Sequence, residues 1–161
     1  MKKLLVAVML VLLLGLFGQN ALAADASGGF GLGIPYGVVG GNMQVNLNDN
    51  FALSFGLGFT PADVAYAVGA RVYLNDSSHP VRPRLGFYYG TVAYEDIVYY
   101  NGWYFYEEEK NLDGTALGFG LEFGRVGGVR FDGELIYILS CQDYEVDDLD
   151  SQVKISFGVH F

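Results

Sequence analysis

Apolar and polar residues alternate along most of this chain with a period of two. The stretch "VKISFGVHF" places Val153, Ile155, Phe157, Val159 and Phe161 on one side, and lysine, serine, glycine and histidine on the other. Such alternation is typical of a β-strand whose two faces meet different environments. Seven further segments share it, with these apolar faces: Phe30/Leu32/Ile34/Tyr36, Met43/Val45/Leu47, Phe51–Phe59, Tyr66–Leu74, Leu85/Phe87/Tyr89, Leu117–Phe123 and Val129–Leu139. The sequence therefore predicts eight strands.

The predicted connections alternate between short and long. Strands 2 and 3 join at Asn48–Asn50, and strands 6 and 7 join at "RVGG". Strands 5 and 6 are joined by the long "EDIVYYNGWYFYEEEKNLDG", and strands 7 and 8 by the acidic "SCQDYEVDDLD". Short turns at one end and the longest loops at the other are typical of an up-and-down transmembrane barrel. The predicted fold class is an all-β, eight-stranded antiparallel barrel.

The composition of the two faces indicates which one points outward. The apolar face is continuous in Phe, Leu, Val and Tyr, whereas the opposite face is dominated by glycine with Asn, Ser and Ala. Small residues suit a narrow eight-stranded interior. An apolar face of this size suits lipid, and closure of the barrel pairs the backbone polar groups. The alternative is a soluble periplasmic lipid-binding barrel, in which the apolar face would point inward.

Charged residues on the glycine-rich face form the first candidate site. An unpaired charge in a narrow interior is costly, so these side chains are expected to pair and fill the lumen. A gated narrow pore is the alternative function for the same residues. The predicted interior charge network is Arg71, Arg84, Glu122, Arg130, Asp132, Glu134 and Lys154.

The N-terminus predicts export. "MKK" precedes the apolar run "LLVAVMLVLLLGLF", and small residues at Ala21 and Ala23 follow it. This order is typical of a secretory signal peptide at 1–23, which leaves one barrel domain at 24–161. A membrane anchor is the alternative, but the run is short for a span.

Charge and cysteine content narrow the function further. Removing Lys2 and Lys3 with the signal changes the formal net charge from −9 to −11, which argues against a nucleic-acid partner. The single cysteine, Cys141, cannot form an internal disulfide, so the exported fold is expected to hold without one.

The sequence offers little catalytic chemistry. His79 stands beside Ser77 and Ser78 in a predicted turn, and His160 is the penultimate residue. Neither histidine is predicted near the outer end of the barrel, where a lipid A-modifying enzyme would need a histidine and a serine nucleophile. No cluster has the spacing of a zinc site and no phosphate-binding loop is present, so no enzymatic activity, metal or cofactor is expected.

Two long loops carry the remaining candidates. Aromatic residues in the loop between strands 5 and 6 suit either an interfacial girdle or a projecting hairpin, turned at "NG", that binds a protein. The residues are Tyr99, Tyr100, Trp103, Tyr104, Phe105 and Tyr106. The acidic loop suits either solvent or a weak divalent-cation site bridging lipopolysaccharide, through Asp143, Glu145, Asp147, Asp148 and Asp150.

The signal peptide, strand number, loop asymmetry and terminal aromatic together resemble the small eight-stranded outer-membrane barrels typified by OmpX and the membrane domain of OmpA. The resemblance covers 24–161 and implies the outer membrane of a Gram-negative bacterium. It implies that Ile155, Phe157, Val159 and Phe161 are an assembly signal read by the barrel-assembly machinery. The implied surroundings are outer-membrane lipid and lipopolysaccharide, and the expected state is a monomer.

These features predict a non-enzymatic barrel with an envelope-structural or adhesion-like surface role. The segment expected to carry that role is the loop 95–113, which would meet an extracellular protein ligand. A narrow pore and a soluble periplasmic lipid-binding barrel remain as alternatives.

Overall fold

The computed structural model describes residues 25–100, 104–124, 128–142 and 152–161. They form a closed barrel of eight antiparallel strands, each paired with its sequence neighbours, and the last strand pairs with the first. The predicted up-and-down barrel is thereby confirmed. The strands are β1 (Asp25–Gly33), β2 (Val38–Asn48), β3 (Phe51–Phe59), β4 (Val64–Tyr73), β5 (Val81–Tyr100), β6 (Phe105–Gly124), β7 (Arg130–Cys141) and β8 (Val153–His160).

Two sequence features lie outside the described residues. These are the predicted signal peptide at 1–23 and the acidic residues Asp143, Glu145, Asp147, Asp148 and Asp150. Over the described ranges, no helix is long and apolar enough to cross a membrane.

The two faces of the sheet follow the alternation in the sequence. Large apolar side chains project outward from all eight strands, and Phe30 and Phe59 are 66% and 67% exposed. The inward positions of the same strands hold buried small or polar residues, such as Ala52, Ser54 and Ala67. The exterior is therefore apolar and the interior polar, the reverse of a water-soluble barrel.

The link between β1 and β2 differs from the prediction. Ile34 and Tyr36 were expected to continue the outward face of the first strand, and this is wrong. Ile34–Tyr36 forms a single 3-10 turn whose residues are buried inside the barrel. Pro35 sets the turn, and Gly37 ends it in the left-handed region at φ 63°. The link therefore folds inward, and Ile34–Tyr36 forms a plug in the barrel.

Glycine residues at two positions of the barrel wall make room for the plug. A Cβ built on Gly31 would lie 2.7 Å from Cε2 of Tyr36, and one on Gly158 would overlap the Tyr36 phenol. Glycine at these positions is therefore required by the close approach of the tyrosine ring.

The segment predicted as the loop 95–113 is mostly strand. β5 and β6 are each 20 residues long and stay paired beyond the barrel, through Glu95↔Lys110 to Tyr100↔Phe105. The suggestion that "NG" turns a projecting hairpin agrees with this pairing, whereas treating 95–113 as a loop was wrong.

The outer rim of the barrel is uneven as a result. β5, β6 and β7 are tall, whereas β1 ends at Gly33 and β8 begins at Val153. The β1–β8 seam is also short, with four register pairs from Gly29↔His160 to Leu32↔Phe157. The backbones of Gly28 and Phe161 extend this seam by one more residue pair, with hydrogen bonds of 3.1 and 2.8 Å.

Replacing Gly158 tests whether the plug occupies the lumen. We expect Gly158→Val to lower the free energy of unfolding by about 3 kcal/mol, because the new side chain displaces the Tyr36 ring. Gly133→Val is the matched control, since its Cβ would only touch the Phe157 ring at 3.5 Å. Urea unfolding in detergent, with heat-dependent gel mobility as the folding readout, measures both.

The double variant Tyr36→Ala/Gly158→Val should recover part of the lost stability, because the overlapping ring is gone. Equal stabilities for Gly158→Val and Gly133→Val would contradict an inserted plug.

Candidate functional site

The interior of the barrel is held by a buried network centred on Arg84. Its Nη2 lies 2.9 Å from Asp132 Oδ1 and 2.9 Å from Glu134 Oε2. Its Nη1 lies 3.8 Å from Glu122 Oε2. One guanidinium on β5 thus joins three carboxylates on β6 and β7. This arrangement suits arginine, whose planar fork can serve several oxygens at once.

Glu122 is the centre of a second group nearer the rim that bears the short turns. Its Oε1 lies 3.2 Å from Arg82 and 3.3 Å from Arg130. The Tyr73 hydroxyl donates a 3.1 Å hydrogen bond to Oε2, and the Arg82 guanidinium stacks 3.8 Å from the Tyr73 ring centre. Burial of this cluster is compensated by both ion pairs and hydrogen bonds.

Arg71 is buried but takes neutral partners. Its Nη1 donates to Gln44 Oε1 at 2.6 Å, and its Nε donates to the Tyr88 hydroxyl at 3.0 Å. The Tyr88 hydroxyl in turn donates a 2.9 Å hydrogen bond to Glu134. Tyr88 therefore links Arg71 to the carboxylates through two hydrogen bonds. Among the described interior residues, Arg71, Arg82, Arg84 and Arg130 outnumber Glu122, Asp132 and Glu134.

Tyr36 connects the plug to this network. Its hydroxyl donates a 2.5 Å hydrogen bond to Asp132 Oδ2 and lies 2.8 Å from His160 Nε2. His160 Nε2 also lies 2.8 Å from the same Asp132 oxygen. These three side chains therefore tie the β1–β2 link to β7 and to the end of β8.

An apolar layer lies on the outer side of the charges. Ile34 of the plug packs among buried side chains from β5, β6 and β7, where the inward positions change from charged to apolar. The other members of this buried cluster are Tyr88, Val92, Leu112, Ala116, Ile136, Ile138 and Cys141. The lumen is thus filled by charged and polar groups and then sealed by aliphatic groups.

The structure brings together six of the seven residues expected in the interior network. Lys154 is the exception: it is half-buried at the outer end of β8, and no ion pair within the described residues joins it to the others. Its inclusion in the network was wrong, because β8 carries it to the level of Ile136, beyond Glu134.

Sequence reasoning missed several members of the network. Arg82 was overlooked although it stands two residues before Arg84 on the same face, so the period-two pattern already contained it. Gln44 and Tyr73 also occupy inward positions of predicted strands. Tyr36 gave a weaker signal, namely its place between Pro35 and Gly37.

The residues considered for catalysis do not form a site. His79 is exposed in a turn, where Ser77 and Ser78 donate to Asp49 and Asp76. His160 is fully buried against Asp132 and Tyr36. Within the described part of the chain, no three His, Cys, Asp or Glu side chains are grouped to hold a metal ion.

The aromatic candidates are only partly described. Tyr99, Tyr100, Phe105 and Tyr106 lie on the paired strands of the β5–β6 hairpin, but their side chains and all of Trp103 are outside the described set. Tyr104 is 75% exposed.

The terminal strand lies at the seam. Ile155, Phe157 and Phe161 are exposed on the exterior, Val159 is half-buried, and the Phe161 and Phe30 ring centres are 5.9 Å apart. Their role as an assembly signal stays a prediction.

Removing the central guanidinium tests the network. We expect Arg84→Met to lower the free energy of unfolding by about 3–5 kcal/mol, because Asp132 and Glu134 lose their shared cation while they remain buried. Lys154→Met is the control and should change stability by less than about 0.5 kcal/mol. Urea unfolding in detergent measures both, and similar losses in the two variants would contradict the central role of Arg84.

Comparison with known proteins agrees with this architecture. No family model matches the sequence and no curated protein matches it. Among solved structures, the chain is similar to the N-terminal β-barrel domain of Pseudomonas aeruginosa OprF, with a TM-score of 0.53 and 16% sequence identity. The alignment covers 85% of this chain and 96% of that chain. At this identity the likeness shows the fold alone, which is a small closed barrel of eight strands.

Proposed function

We propose that this chain is a non-enzymatic outer-membrane barrel that presents the β5–β6 hairpin outside the cell as a protein-interaction surface. The barrel serves as the anchor, and its interior network keeps it rigid and closed. The observation that carries the proposal is the continuation of β5 and β6 beyond the described ends of the other strands of the barrel.

The exterior supports placement in a membrane. Apolar side chains on all eight strands are exposed around a closed ladder, which suits lipid and would be a very large apolar surface in water. A soluble lipid-binding barrel would need the opposite orientation, but the inward face carries arginines and carboxylates. Its similarity to the OprF domain supports the same placement, and the signal peptide predicted at 1–23 is consistent with export of the chain.

The projecting hairpin has two strand edges without partners among the described residues. The last β4–β5 pair is Ala67↔Gly90, and the last β6–β7 pair is Gly114↔Cys141. Beyond them, residues 91–100 rise by about 30 Å at the usual spacing of a strand. Unpaired strand edges bind extended peptides by adding a strand.

The base of the hairpin is braced against the rim. The Thr60 hydroxyl lies 2.5 Å from Asn111 Oδ1, and Asn111 Nδ2 donates to the Val64 carbonyl at 3.1 Å. These hydrogen bonds hold the base of the hairpin in place, which favours a defined surface over a mobile loop.

The filled lumen argues against the pore alternative. Arg71, Arg84 and Tyr36 are fully buried across the middle of the barrel, and Ile34 seals its outer side. Eight-stranded barrels leave an interior that side chains just fill.

We expect the purified chain in planar lipid bilayers to give no steady ion conductance, because the plug and the network close the lumen. Tyr36→Ala is the comparison variant and should give brief openings. A stable conductance from the unaltered chain would favour the pore function instead.

Shortening the hairpin tests the interaction role. Because Tyr94 and Asn111 are directly paired, replacing residues 95–110 with Asn-Gly gives a two-residue turn on an intact barrel. The probe is a phage-displayed random peptide library panned on cells that carry the full chain, with cells carrying the shortened chain for counter-selection. We expect enriched peptides with alternating apolar residues that bind the full chain only.

The shortened chain must keep its heat-dependent gel mobility and sediment with the outer membrane, which separates loss of binding from loss of the barrel. Absence of any peptide that distinguishes the two chains would contradict the interaction role. Recovery of the full chain in the soluble periplasm would contradict the membrane placement.

A further inference from the structure

The barrel wall has a gap where β1 and β8 should continue to pair. Their last register pair is Leu32↔Phe157, after which β1 turns inward at Gly33. β8 continues for Val153–Ser156, and among the described residues it pairs there with β7 alone. The Ser156 hydroxyl donates to the Leu32 carbonyl at 2.9 Å and closes the lower end of the opening.

The gap opens on the apolar exterior. Val153 and Ile155 on its β8 side are 51% and 58% exposed, and Leu32 and Val39 on the opposite side are 54% and 53% exposed. Tyr137, which pairs with Val153, is also exposed on this face. The opening therefore faces the same surroundings as the lipid-facing band, which rests on the membrane placement proposed above.

A half-open cavity of about 780 Å³ lies behind the gap. It is bounded below by the plug and on the far side by the tall strand β5. Its volume is in the range of small-molecule sites, and its walls combine apolar side chains with polar surface of similar extent, to which Glu95 and Lys154 contribute. The residues that define it are Ile34, Val38, Val92, Ala93, Lys154 and Ile155.

Backbone strain marks the wall of this cavity. Val38 has φ 71°, a left-handed conformation that a β-branched residue rarely adopts. It follows Gly37 at the exit of the plug, so the inward fold of the link and the shape of the cavity are set together. Strain of this kind persists only where the surrounding structure enforces it, and it is concentrated at functional sites.

The charge at the opening favours an anionic group. Lys154 lines the cavity and makes no ion pair within the described ranges. Glu95 also lines it, but Lys110 stands directly opposite Glu95 on β6. Opposite charges at such positions offset one another. The ammonium of Lys154 is thus available on the inward face of β8, beside the gap.

We infer that this cavity binds a single-chain anionic amphiphile, a long-chain fatty acid, which enters from the membrane through the β1–β8 gap. The alkyl chain lies between the plug and β5, against Ile34, Val92 and Ala93. The carboxylate pairs with Lys154 inside the cavity, beside the gap. The apolar seal around Ile34 prevents the ligand from passing further into the lumen.

The test uses the full chain in non-ionic detergent with tritiated palmitate as the probe. We expect saturable binding of one palmitate per chain, and weaker binding of hexadecylamine and hexadecanol. Lys154→Glu should weaken palmitate binding by roughly tenfold and favour hexadecylamine, whereas Lys154→Arg should bind like the unaltered chain. Ala93→Trp should abolish binding by filling the cavity, and Ala93→Leu replaces it if the larger residue prevents folding.

Val129→Trp, on the exterior at the opposite rim, is the matched control and should leave binding unchanged. Palmitate that binds equally to the cavity-filling variant and the control lies on the outer surface and overturns the site. Hexadecanol binding as tightly as palmitate overturns the anionic preference. Each protein is also tested for heat-dependent gel mobility and outer-membrane fractionation, whose failure would instead overturn the membrane barrel.

Discussion

The need to pair every backbone polar group around an apolar exterior determines the rest of this structure. Closure of the ladder between β8 and β1 joins the two ends of the described chain, through Gly28 and Phe161. A ring of eight strands then encloses a narrow interior, which restricts inward positions to small residues or to side chains that neutralise one another. The glycine-rich face and the arginine–carboxylate network are two consequences of the same closure.

The narrow interior also explains why the plug and the network depend on each other. Tyr36 occupies the space left by Gly31 and Gly158, and its hydroxyl donates a hydrogen bond to Asp132. Asp132 in turn is held by Arg84 and His160. Charged groups therefore lie in the middle of the barrel and aliphatic groups on its outer side, which leaves space open only where the short strands end.

Much of the fold was readable from the sequence because a strand has a period of two. That period assigned Arg71, Arg84 and Asp132 to the interior and Phe157 to the exterior. The prediction from this period was wrong at Tyr36. The apolar residues keep alternating in the sequence after Gly33, whereas the strand ends there. The period also could not predict which partners Lys154 would meet, because the heights of neighbouring strands depend on register. The length of β5 and β6 in the hairpin was not predicted, because strands outside lipid need not alternate between apolar and polar residues.

The link between Tyr36 and His160 has a consequence for assembly. The two residues are 124 positions apart, and the Tyr36–Asp132 contact spans 96 positions. Contacts of such long sequence separation form only after most of the chain has come together. The interior must therefore stay open while the first seven strands align, and arrival of β8 both completes the wall and fastens the plug. Closing the ring and fixing the plug in the lumen are thus one event.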